Sequence, residues 1–195
     1  GVDALTHCIE AYTVQLHQPI TDALALKGIS MIAENLEKAY ENGEDREARR
    51  NMMIASTIGG MAFISSNVGA VHAFAETVGA WFDTPHGVAN SLFLPYIMEF
   101  NIPACPERFA DIADAMGIER EESMSDEQYA LKAVEYVKAL NRKLNIPTIK
   151  EIKGITEERF EAIAERSANN VLSNDNARKI TKEDYLELLK KAYNE

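Results

Sequence analysis

The chain has 195 residues, 46% hydrophobic and 26% charged, enough apolar material for the core of one domain. Acids outnumber bases 31 to 20; a net charge of −11 repels nucleic acid and anionic membranes, and neither is expected as a partner. No apolar run is long enough to span a bilayer, no basic segment opens a signal peptide, and the two distant cysteines, Cys8 and Cys105, fit a reducing cytoplasmic setting rather than a disulfide framework or thiolate metal site.

The periodicity is helical almost throughout. Residues 3–16 place Leu5, Ile9 and Val14 on a helical pattern with no breaker. Pro19 stops that helix and sits near the start of the next, about 20–41, where Thr21 or Asp22 serves the first turn and Leu24, Leu26, Ile29, Ile32 and Leu36 give a broad apolar face. After a turn at Gly43, residues 45–64 read as a helix whose small residues, including Ala55, Gly59 and Gly60, permit close packing. Asn67 and Gly69 mark a turn before a helix over 70–81. Asp83-Thr84-Pro85 reads as the next helix start, a capping oxygen followed by Pro at the first helical position, with the helix running toward Phe100 and disturbed at Pro95. Helices are further expected at 105–116, 125–144, 156–170 and 181–193, with 145–155 as the connecting loop. No stretch alternates with period two, so no sheet is expected. The fold class is all-α, a helical bundle forming one domain over 1–195.

From Asn51 to Pro106 there is no Lys or Arg, and the acids are Glu76, Asp83 and Glu99. The plain explanation is a deeply buried core. The same zone nevertheless carries His72 and His86, which a plain core does not require. Asp3 and His7, four residues apart, project from one helix face, a spacing that offers two ligands to one ion. His72 lies in a second helix and His86 in the first turn of a third, directly after Pro85. One carboxylate and three imidazoles from three helices suit iron, zinc, manganese, cobalt or nickel. Taken singly, each element is more often solvated surface or a hydrogen-bonded core histidine. Their combination carries the reading. Glu10 lies on or near the same face, as a support to the ligands, and His17 reads as structural or solvated. HExxH, GxSxG, GxGxxG and the P-loop pattern are all missing, so the chain has no glycine-rich phosphate loop of its own.

GVDALTHCIEAY at 1–12, the segment 21–56, and NVGAVHAFAETVGAWFDTPHGVANSLFLP at 67–95 together resemble the C-terminal half of the iron-containing (group III) alcohol dehydrogenases. His72 and His86 stand fourteen residues apart, as in that family's G-x-x-H and P-H-G-x-x-N elements, and 175–193 is similar to its last helix. The resemblance implies an all-helical metal-binding domain, half of a dehydroquinate-synthase-like two-domain enzyme, following an N-terminal dinucleotide-binding domain that these residues do not include. It implies Asp3, His7, His72 and His86 as ligands of Fe²⁺, with Zn²⁺ the alternative. NAD or NADP is then held mainly by the other domain, and the substrate is a small alcohol or aldehyde. Many members carry a further His where this chain has Glu76. Glu76 is therefore read as a proton relay, a fifth ligand, or a residue paired with a neighbour. A homo-oligomer is a further partner expectation, with the oligomeric state left open. The start at Gly1, two residues before Asp3, reads as a cut at a domain boundary. Two other classes compete: a non-catalytic helical scaffold or oligomerisation module with core histidines, and a metal-dependent hydrolase or lyase.

Overall fold

The computed structural model describes residues 1–195 and contains nine α-helices, short 3-10 turns and no strand. The helices are α1 (Val2–Thr13), α2 (Pro19–Glu41), α3 (Arg46–Ser66), α4 (Ala70–Phe82), α5 (His86–Asn101), α6 (Pro106–Ala115), α7 (Asp126–Lys143), α8 (Phe160–Ala168) and α9 (Lys182–Asn194). Their starts carry the expected chemistry. Pro19 is the first residue of α2, where the Gln18 side chain accepts from Ile20 N–H and Thr21 Oγ1 accepts from Gln18 N–H. Asp45 caps α3 through Ala48 N–H, and Ser125 and Thr181 open α7 and α9 with capping boxes.

Three boundaries depart from the sequence expectation. α1 stops at Thr13 rather than 16, because Gln15 leaves the helix to pair with the segment before α9: its N–H donates to Asp175 O and its Nε2 to Asn176 O. Asp83 does not cap α5. It closes α4 in the left-handed region at φ 51°, and Pro85 sits just before the helix, which begins at His86. The left-handed residue turns the chain sharply enough to lay the start of α5 beside α4. The first turn expected of α8 is a 3-10 turn, Glu157–Arg159.

Helix α5 runs through Pro95 without ending. Proline supplies no N–H to the carbonyl four residues earlier, that of Ser91. Asn141 Nδ2 from α7 donates to that carbonyl at 2.6 Å, so the bond lost within the helix is replaced from a neighbouring one.

One apolar core links residues from Val2 to Ala192. α1 lies at its centre against α2, α3 and α5, α2 runs along α3, α4 packs on α5 and α8, and the pairs α6–α7 and α8–α9 complete the bundle. The α1–α2 crossing is close because Gly28 faces Cys8; a Cβ at residue 28 would stand 2.5 Å from Cys8 Sγ. Arg108 fastens α6 to α1 and α2. Its Nε donates to Tyr12 O, its Nη2 pairs with Asp22 Oδ1 at 2.7 Å, and it stacks on the Tyr12 ring.

The charge-poor zone is only partly a buried core. α4 and α5 are largely covered, but α3 turns Met53 (73% exposed), Met61 and Ile64 (79% exposed) to solvent. No single helix is long and apolar enough to cross a membrane.

Candidate metal centre

The four groups expected to meet do meet. One ligand atom from each of Asp3, His7, His72 and His86 lies within 4.8 Å of the others. Three helix beginnings supply them. Asp3 and His7 occupy the first two turns of α1, His72 the first turn of α4, and His86 is the first residue of α5. Gly87 lets α5 approach α1: a Cβ there would lie 3.3 Å from Asp3 Cβ, tighter than side chains normally pack.

His7 Nε2 is 3.1 Å from His72 Nε2, and His86 Nε2 is 3.6 Å from Asp3 Oδ1. A tetrahedral ion with bonds of about 2.0–2.1 Å holds its ligand atoms about 3.3 Å apart, so the donor set fits one divalent ion. The site is graded in exposure. His72 is buried, His7 partly so, and the His86 side chain is 49% exposed, which puts the open side of the cluster at the start of α5.

Glu10 supports the cluster from behind. It is buried, on the next turn of α1 after His7. Its Oε2 pairs with His72 Nδ1, and its Oε1 accepts from Val71 N–H at 2.8 Å. The carboxylate therefore caps α4 at the positive end of its dipole and fixes the His72 tautomer, leaving the Nε2 lone pair facing inward. Burial pulls the His72 pKa down, but the charge and hydrogen bond of Glu10 outweigh it, and the net shift is upward. His7 is held below the ordinary imidazole value by burial and by His72 beside it. It stacks on Phe63 at 4.4 Å, which fixes its ring plane.

Asn176 holds the same helix start from the other side. Its Oδ1 accepts from Ala70 N–H, and its amide is paired with that of Asn101. Glu76 lies one turn past His72. It is exposed, its Oε2 accepts from Asn170 Nδ2 at 2.7 Å, and it is not among the four clustered groups. His17 pairs with Asp22 at 3.3 Å, away from the cluster. Reading the sequence alone gave no role to Asn90, four residues after His86 and so on the same face of α5. Its amide nitrogen reaches Asp3 Oδ1, His72 Nε2 and His86 Nε2. That helical spacing from a candidate ligand, and its place at the end of the P-H-G-x-x-N element, were the available signals.

The chain resembles known proteins along its whole length. The family described as "Fe-containing alcohol dehydrogenase family, C-terminal" matches residues 1–193. Alcohol dehydrogenase 4 of Saccharomyces cerevisiae is 42% identical over 99% of this chain and 49% of its own length. The NADPH-dependent butanol dehydrogenase of Clostridium saccharobutylicum is 39% identical over 99% of this chain and 50% of its own length. A crystal structure of a 1,3-propanediol oxidoreductase superposes with a TM-score of 0.94 at 38% identity, covering 98% of this chain and 50% of that one. The chain thus spans about half the length of the relatives it matches. A match of this extent, joined to identity near 40% and a shared helical fold, means that the chain belongs to the Fe-containing alcohol dehydrogenase family and corresponds to its C-terminal part.

Proposed function

We propose that residues 1–195 form the metal-binding domain of an NAD(P)-linked alcohol dehydrogenase that interconverts a small alcohol with its aldehyde or ketone. Asp3, His7, His72 and His86 hold one Fe²⁺, or Zn²⁺, which the same donors also suit. The observation that carries this reading is the convergence of these four groups within 4.8 Å from three separate helices. When bound, such an ion supplies Lewis acidity to the substrate oxygen.

The chain's own residues prepare the place. Glu10 keeps His72 in one tautomer, and Phe63 keeps the His7 ring from turning. The half-exposed His86 marks the side from which a small alcohol enters. Phe63, together with the covered residues of α4, limits water around the cluster. Glu76, exposed and near enough for its charge to raise the His72 pKa, is the carboxylate available to relay a proton to solvent. NAD or NADP is held by an N-terminal nucleotide-binding domain, since this chain carries no glycine-rich phosphate loop. The buried free thiols suit a reducing cytoplasm.

Metal analysis of protein purified without chelator tests the reading. About one divalent ion per chain is expected, and chelator should lower the melting temperature, because an ion held only by the folded state stabilises it. Retention of as much iron or zinc by His72→Ala and His86→Ala as by the parent would refute the site. The 195-residue chain alone should oxidise no alcohol with NAD or NADP.

A further inference from the structure

We propose that Asn90 is a positioning residue for Asp3: its amide fixes the carboxylate through Oδ1, the oxygen that faces His86, so that Asp3 presents that one oxygen to an ion shared with His7, His72 and His86. The proposal rests on the metal-site reading above.

Asn90 is fully buried in α5, one turn beyond His86. Its Nδ2 lies 2.6 Å from Asp3 Oδ1, 3.1 Å from His86 Nε2 and 3.2 Å from His72 Nε2. All three neighbours are acceptors when the imidazoles face inward with lone pairs. The amide nitrogen must therefore point into the cluster; turned over, the amide oxygen would face a carboxylate and two lone pairs. An amide has two hydrogens and cannot serve three acceptors. The carboxylate is both the closest and the charged one, so it takes the strongest bond. The second hydrogen serves one of the two Nε2 atoms at most, over 3.1–3.2 Å, a weaker bond that a cation would displace.

Three further observations support this role. The bond from Asn90 is the only side-chain hydrogen bond made by the Asp3 carboxylate; its other oxygen stands 3.8 Å from His7 Nδ1, beyond hydrogen-bond distance. Asp3 is also partly exposed, so without Asn90 its carboxylate is free to rotate. In addition, Asn90 Oδ1 is buried with no partner. The amide is thus anchored at its donor end alone, and that end faces the ligands.

The test uses the 195-residue chain, Co²⁺ as the probe ion, and the variants Asn90→Leu and Asn90→Ala. Four-coordinate Co²⁺ absorbs strongly in the visible region and more highly coordinated Co²⁺ weakly. The parent is expected to give the strong band. Both variants are expected to lose much of its intensity, as a second Asp3 oxygen joins the ion, and to bind Co²⁺ about 10–100-fold more weakly in chelator competition. Ser167→Ala removes a buried α8 hydroxyl bonded to Thr77, beyond His72 on α4, and should lower the melting temperature while leaving the Co²⁺ spectrum unchanged. Melting of the metal-free proteins identifies any variant that fails to fold, and the two Asn90 substitutions differ enough in volume that either can be read alone. An unchanged spectrum in a folded Asn90 variant, or the same spectral loss in Ser167→Ala, overturns the proposal. Failure of the parent to bind Co²⁺ at all instead overturns the metal-site reading on which it stands.

Discussion

Glu10 and His72 are joined in the interior by a carboxylate–imidazole bond, although 62 residues separate them in the chain. The same carboxylate accepts the Val71 N–H, so one side chain of α1 both caps α4 and orients a candidate ligand in its first turn.

Removing that carboxylate has two separable effects. Glu10→Ala leaves the Val71 N–H and His72 Nδ1–H buried without acceptors, which costs about 3 kcal/mol in urea unfolding of the metal-free protein. It also frees the His72 ring, which lowers divalent-metal affinity by about 10–100-fold in chelator competition. Glu10→Gln keeps one acceptor and should fall between the parent and Glu10→Ala in both measurements. Equal metal affinity in all three proteins would show that Glu10 serves the fold alone.

The contact of Gly28 with Cys8 predicts a change of sign. In the parent, Gly28→Ala drives a methyl group to 2.5 Å from Cys8 Sγ, and overpacking of this kind costs about 1–3 kcal/mol. In a Cys8→Ala background the sulfur is gone, and the same substitution should stabilise by up to about 1 kcal/mol through helix propensity. A double-mutant cycle from denaturant midpoints measures the coupling.

Pro95 and Asn141 are coupled in the same manner. Asn141→Leu strips the Ser91 carbonyl of its donor and should cost about 1–3 kcal/mol. Adding Pro95→Ala returns an N–H to that carbonyl from within α5, so the double variant should recover much of the loss. If Pro95→Ala gives the same change in both backgrounds, the replacement bond has no energetic weight.

The two thiols set an alkaline limit. Burial pushes Cys8 up to about 12 and Cys105, with Glu107 close by, up to about 11. Because the folded state keeps these protons longer than the unfolded chain does, their contribution to stability is complete below the unfolded thiol value and declines as pH rises from about 9 toward 11. The urea midpoint should therefore fall between pH 8 and pH 10.5. At pH 8 a thiol-specific chromogenic reagent should label neither cysteine in the native protein and both in denaturant. Rapid native labelling would contradict the burial of both side chains.

What could be read from the sequence follows from how local each signal is. Helical periodicity and the Pro19 start are properties of short segments, and the helices stand close to where they were expected. The end of α1 is fixed by Gln15 reaching a segment 160 or more residues away, and no local pattern records such a partner. Asp83 carries a good capping side chain, yet the sharp reversal into α5 uses its tolerance of left-handed backbone instead. The charge-poor zone suggested burial, but composition cannot separate a covered apolar helix from α3, whose apolar face lies open. The four clustered side chains were legible from residue type, from the helical spacing of Asp3 and His7, and from the resemblance of the His72 and His86 elements to those of a known family. Asn90 closes the P-H-G-x-x-N element, but its role was not legible, because a neutral amide in an apolar helix looks the same whether it faces a ligand or merely fills space.

The cluster also determines which parts of the chain are stapled together. An ion there would fasten α1 to α4 and α5 across the 65 positions from His7 to His72, closing a circuit much as a covalent crosslink does. Helices α6 to α9 carry none of the four groups and lie outside that circuit. Loading with metal should therefore slow hydrogen exchange in α1 and in the first turns of α4 and α5, while the amides of α7 exchange at nearly their former rate, so that the bundle opens from its C-terminal side first.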